Sequence, residues 1–78
     1  MDTSMISKIA KAREYANEPT RFQVRRIEVS FHGVNNEHQI GFDDGTWNCD
    51  CEYFSHHAYC AHTMAMERLL EGMVPEAD

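Results

Sequence analysis

Residues 4–17, SMISKIAKAREYAN, set Met5, Ile9, Ala12 and Ala16 three or four positions apart, the spacing of one helix face. Ser4 or Thr3 supplies a cap, and Asn17-Glu18-Pro19 ends the element because the residue before proline avoids the helical region. Lys8, Lys11 and Tyr15 fall on another face, expected to be solvated. The period then changes to two. In RFQVRRIEVSFH (21–32), Phe22 and Val24 share one phase and Ile27, Val29 and Phe31 the other, so the pattern slips at Arg25-Arg26. A β-bulge accounts for the slip, and so do two separate strands. GVNNE (33–37) is turn chemistry, and HQIGFD (38–43) is a strand with Ile40 and Phe42 on one side. The Asp-Gly pair in DDGT (43–46) is a tight hairpin turn. TWNCDC (46–51) is a third extended piece that puts Trp47, Cys49 and Cys51 on one side. From about Ala61 to Glu71 the helical spacing returns. Ala61, Ala65 and Leu69 form the stripe, flanked by Met66, Leu70 and Met73; Gly72 is the C-cap and Pro75 forbids continuation.

This order predicts an α+β fold: an N-terminal helix, a small antiparallel β-meander, a Cys/His knuckle and a C-terminal helix. The expected organisation is a helical extension over 1–20, one domain over 21–73 and a mobile tail over 74–78. Seventy-eight residues bury little apolar surface, so a staple is expected: a disulfide, a metal or a partner chain.

Charge divides the chain. Residues 1–27 carry six cations against three carboxylates, whereas residues 28–78 carry Arg68 against ten carboxylates; the total is −6. Only the front third offers a field that attracts a polyanion. Residues 1–18 lack the apolar core of a secretory signal, and no apolar run approaches a membrane span. The expected compartment is therefore cytoplasmic and reducing, where clustered cysteines signify metal or catalysis more often than a disulfide.

The chemistry concentrates in CDCEYFSHHAYCAH, Cys49 to His62, which holds all three cysteines and three of the five histidines. Zinc takes four ligands near a tetrahedron and favours thiolate and imidazole. Cys49 and Cys51, two apart on extended backbone, reach one ion together. Cys60 and His62 have the same spacing at a helix start, which places Cys60 at or before the N-terminus and His62 on the first turn. The helix end then favours a charged sulfur. One zinc ion held by Cys49, Cys51, Cys60 and His62 is the leading reading, and three thiolates leave that site with one net negative charge. The alternatives are a thiol nucleophile paired with histidine, a strained Cys49–Cys51 disulfide, a catalytic zinc with an open position, and His56 or His57 replacing His62. A structural zinc contributes about 10–16 kcal/mol of apparent binding free energy. Domains are stable by about 5–15 kcal/mol, so the metal-free chain is expected to be unfolded or molten.

Cys-x-Cys, eight residues, then Cys-x-His, placed after DGTWNCDC and opening an amphipathic helix, resembles the SWIM zinc finger. The resemblance runs from about Ile27 to Leu70 and includes Trp47 before the first cysteine and Phe54 in the gap; residues 1–26 lie outside it. It implies a ββα scaffold with Cys49, Cys51, Cys60 and His62 as the ligands. The cysteine spacing is also that of CDGSH-type iron–sulfur proteins, but the position where they carry histidine is Met64 here.

SWIM fingers are implicated in protein–protein contact and in DNA binding. The expectation here is a non-catalytic, zinc-stabilised module that binds a protein partner, because the finger half is acidic. The alternative is DNA or single-stranded nucleic acid held by Lys8, Lys11, Arg21, Arg25 and Arg26 with neighbouring aromatics. Against that, Arg25 and Arg26 are expected to pair with the domain's own carboxylates. Tyr53, Phe54 and Tyr59 supply either an exposed apolar patch or packing over the metal, and a homodimer through the first helix is a third possibility.

Overall fold

The computed structural model describes residues 3–75. Helix α1 spans Thr3–Ala16 and is followed by a 3-10 turn over Pro19–Arg21. Strands β1 (Arg26–His32), β2 (Glu37–Asp43) and β3 (Thr46–Cys49) form one antiparallel sheet in sequence order. Two short helices follow, α2 (Glu52–His57) and α3 (Ala61–Leu69). The architecture is the expected α+β arrangement. The expected tail falls partly outside the described residues, at 76–78.

The sheet is two-faced because its register aligns like with like. Ile27 lies opposite Phe42, Val29 opposite Ile40 and Phe31 opposite His38. Across the next pair, Ile40 faces Cys49 and Phe42 faces Trp47. One face therefore carries Ile27, Val29, Phe31, His38, Ile40, Phe42, Trp47 and Cys49, while the alternate residues are polar or glycine. Ile40, Cys49, Cys51, Cys60 and Met66 are buried together, with Ile27, Val29, Trp47, Phe54 and Leu70 packed around them. Phe42, also buried, meets Trp47 at 4.7 Å between ring centres. The Asp44-Gly45 turn has both residues at positive φ, 47° and 93°, which suits the right-handed twist of a two-residue hairpin.

The slip at Arg25-Arg26 is neither a bulge nor a second strand. The strand begins at Arg26, and the preceding segment is held by isolated bonds: Val24 N–H donates to Met73 O (2.8 Å) and Asp44 N–H to Arg25 O (2.8 Å). Phe22 is left half-exposed. The third strand stops at Cys49, two residues short of the expected end, because Cys51 caps α2. That helix has no counterpart in the element order expected from the sequence. On α3 the stripe is also different: Thr63 and Met66 are the buried residues, with Leu70 half-buried, and Ala61, Ala65 and Leu69 are exposed. None of α1 is buried, so Ile9, Ala12 and Ala16 of its expected stripe join no core among the described residues.

Candidate metal centre

Three backbone transitions bring the four side chains together. Cys49 ends β3 on the apolar face. Cys51 is the N-cap of α2, where its sulfur accepts the Phe54 N–H at 3.4 Å. Cys60 is the N-cap of α3, where its sulfur accepts the Thr63 N–H at 3.5 Å. His62 follows on the first turn of α3, as its spacing predicts. An N-cap needs an acceptor for otherwise unpaired helix N–H groups, and a thiolate serves as one while remaining available to a cation.

Thr63 completes the α3 cap. Its hydroxyl accepts the Cys60 N–H (3.1 Å) and donates to the Cys60 carbonyl (3.2 Å), and the residue is 2% exposed. This reciprocal bonding fixes the backbone of a candidate ligand. It was not foreseen from the sequence, although a threonine three residues after a cap is the position where such a box forms.

The donor atoms of Cys49, Cys51, Cys60 and His62 all lie within 4.8 Å of one another. His62 Nδ1 is 3.6 Å from Cys49 Sγ and 3.7 Å from Cys60 Sγ. Zinc bonded to sulfur at about 2.3 Å and to nitrogen at about 2.0 Å in a tetrahedron implies an S···N separation of about 3.5 Å. The cluster therefore fits one zinc ion, with Nδ1 the nitrogen turned towards the sulfurs. His56 and His57 stand on α2, exposed and outside this cluster, and His57 stacks on Tyr53 at 4.1 Å.

The sulfurs differ in acidity. Burial pushes the Cys49 thiol up to about 11, with the neighbouring Cys51 and Cys60 sulfurs adding to the rise against an opposing Cys51 backbone N–H. Burial acts the same way on Cys60, but the Thr63 N–H and hydroxyl, then His62 and Cys51, outweigh it and bring that thiol down to about 6. One sulfur is thus prepared as an anion by its helix cap.

A second layer surrounds the imidazole, which lies 4.7 Å from both the Phe31 and the His38 ring centres. His38 Nδ1 is 3.0 Å from Asp50 Oδ1, and that bond holds the Asp50 carboxyl below the usual carboxylate range. His38 and Phe31 are cross-strand partners on the ligand-bearing face. The sequence did not mark them, since only the register puts them beside a residue two elements away.

No curated protein and no solved structure was found to match this chain. The model of the SWIM zinc finger family does match, over residues 33–70. The match begins after β1, so the first strand of the sheet, together with α1, lies outside it. The match lies within the expected stretch from about Ile27 to Leu70 and shares its end. Over residues 33–70, around four converging Cys and His donors, this chain is similar to the SWIM zinc finger family.

Proposed function

We propose that Cys49, Cys51, Cys60 and His62 hold one structural zinc ion, and that the chain is a non-catalytic module whose zinc-set surface docks a protein. Zinc supplies the crosslink between the end of β3, the cap of α2 and the first turn of α3. With four protein donors there is no open position for a substrate. The proposed folding unit is 21–73, with α1 as an extension.

The observation that carries a protein target is the surface beside the ligands. Tyr53, Tyr59, Met64 and Leu69 are 50–73% exposed on α2, α3 and the link between them. Arg68, the one Lys or Arg of residues 28–78, lines a groove with Tyr53, Tyr59 and Met64, while the same stretch of chain holds ten carboxylates. An exposed apolar patch on the acidic half of the chain suits a protein better than phosphate.

The nucleic-acid reading keeps Lys8, Lys11 and Arg25. Arg26 is paired with Asp43 at 3.0 Å, while Arg21 is paired with Glu18 at 3.1 Å and lies over the Tyr15 ring. Fluorescence anisotropy of the zinc-loaded chain with single- and double-stranded oligonucleotides tests the choice. The expected result is no binding at low salt. Binding that falls steeply with salt and weakens in Arg25→Ala/Arg26→Ala would transfer the function to nucleic acid. The proposed site is intracellular, where the thiols stay reduced.

A further inference from the structure

Thr63 fixes the backbone at Cys60, but a backbone cap does not fix an imidazole. The χ2 torsion of histidine is broad, so the His62 ring can swing while its Cα stays in place. A ring nitrogen binds metal through a lone pair in the ring plane, so that plane must point at the cation. Histidines that hold metal ordinarily gain this orientation from a hydrogen bond on the other nitrogen. Among the described residues, the His62 side chain has hydrogen-bond contacts only through Nδ1, with the Cys49 and Cys60 sulfurs.

Its ring lies instead over two others. Phe31 and His38 are cross-strand partners, and each ring centre is 4.7 Å from that of His62. Aromatic rings attract at separations of about 4.5–7 Å. His38 is the nearer to parallel, its plane 36° from that of His62, against 56° for Phe31.

His38 is itself anchored. Its side chain is 24% exposed, and Nδ1 is 3.0 Å from Asp50 Oδ1. A carboxylate only accepts, so Nδ1 donates. Asp50 stands between Cys49 and Cys51 in the chain, and its backbone N–H donates to the carbonyl of Gln39, the residue after His38, at 3.3 Å. One side chain thus touches both parts of the donor set: the Cys-x-Cys segment through Asp50, and the α3 imidazole through its ring. His38 is not among the four converging donors. Packing alone would be served by phenylalanine, as at position 31; only a ring with an N–H can be tied to Asp50.

We infer that His38, anchored by Asp50, is a positioning residue that sets the plane of the His62 imidazole for the metal. This inference rests on the zinc reading above and adds to it a residue that binds no metal.

The test compares the parent chain with Asp50→Ala, Asp50→Asn, His38→Phe and the double variant Asp50→Ala/His38→Phe. Competition against a chromophoric chelator gives zinc affinity, and long-range 1H–15N correlation of the zinc form gives the His62 ring signals. Asp50 is half-exposed, so Asp50→Ala should leave the backbone spectrum of the finger intact. It should weaken zinc binding by about tenfold and broaden the His62 signals through exchange between ring orientations. Asp50→Asn still offers an acceptor oxygen and should keep those signals sharp, which separates the anchor from the charge of the carboxylate. His38→Phe and the double variant should lose no more than Asp50→Ala, because all three cut the same bond. Sharp His62 signals in Asp50→Ala, losses that add in the double variant, or Asp50→Asn behaving as Asp50→Ala would overturn the inference while the parent still binds one zinc. A parent chain that takes up no zinc would overturn the zinc reading and this inference with it, so the two failures are distinguishable.

Discussion

His62 reaches its neighbours from a position only two residues beyond Cys60, and that short tether turns Nδ1 rather than Nε2 to the sulfurs. Long-range 1H–15N correlation of the zinc form should therefore show a metal-bound Nδ1 and a protonated Nε2; the reverse tautomer would contradict the geometry. The unequal thiols give a pH dependence of known sign. Metal ligation requires thiolate. Near neutral pH Cys60, at about 6, already carries its charge, whereas Cys49, at about 11, must give up a proton to the solvent. Zinc affinity should rise with pH through the neutral range, because the coordinating thiols must lose their protons to bind. Competition against a chromophoric chelator measures this, and a pH-independent affinity would refute it. Thr63→Val keeps the shape of a buried side chain and removes the hydroxyl of the cap. Loss of a capping interaction costs about 0.5–2 kcal/mol, readable in denaturant unfolding of the zinc form.

At the scale of elements, α2 is closed by a residue ill-suited to its place. Ala58 has φ 63°, and its N–H bonds to Phe54 O. Left-handed backbone costs a residue with a Cβ about 1 kcal/mol or more, so Ala58→Gly should raise stability by about 0.5–1 kcal/mol after the entropy of glycine is counted. In the sheet, Ile40 is 3% exposed between β1 and β3. Ile40→Ala should cost about 2–5 kcal/mol, enough to unfold much of a small domain. The strands were legible because alternation over Ile27–Phe31 and Ile40–Phe42 has one period and one turn signal, Asp44-Gly45. The α3 start was legible because Cys60 and His62 must face one ion. The buried side of α3 was not, since helical spacing fits Ala61–Ala65–Leu69 as well as Thr63–Met66–Leu70. A polar threonine concealed the correct stripe, and its hydroxyl is satisfied by the Cys60 backbone. Helix α2 escaped notice because its cap is a cysteine, a role that spacing alone does not assign. The convergence of four Cys and His donors was written in four residues, while their Phe31, His38 and Asp50 surround depends on strand register.

For the whole molecule, the balance between core and crosslink is decisive. The buried core is Ile40, Phe42, Met66 and three cysteines around one buried threonine. Without metal, the three thiols would occupy the centre of that core with no cation to hold them. A structural zinc supplies about 10–16 kcal/mol of apparent binding free energy, comparable with the entire stability of an ordinary domain. Folding of residues 33–70 and formation of the docking surface should thus be one event. Zinc titrated into the reduced, metal-free chain, followed by 1H–15N correlation, tests that claim most directly. The account predicts a poorly dispersed spectrum that converts to a dispersed one with an end point at one zinc per chain; a dispersed spectrum before any metal is added, or an end point other than one, would contradict it.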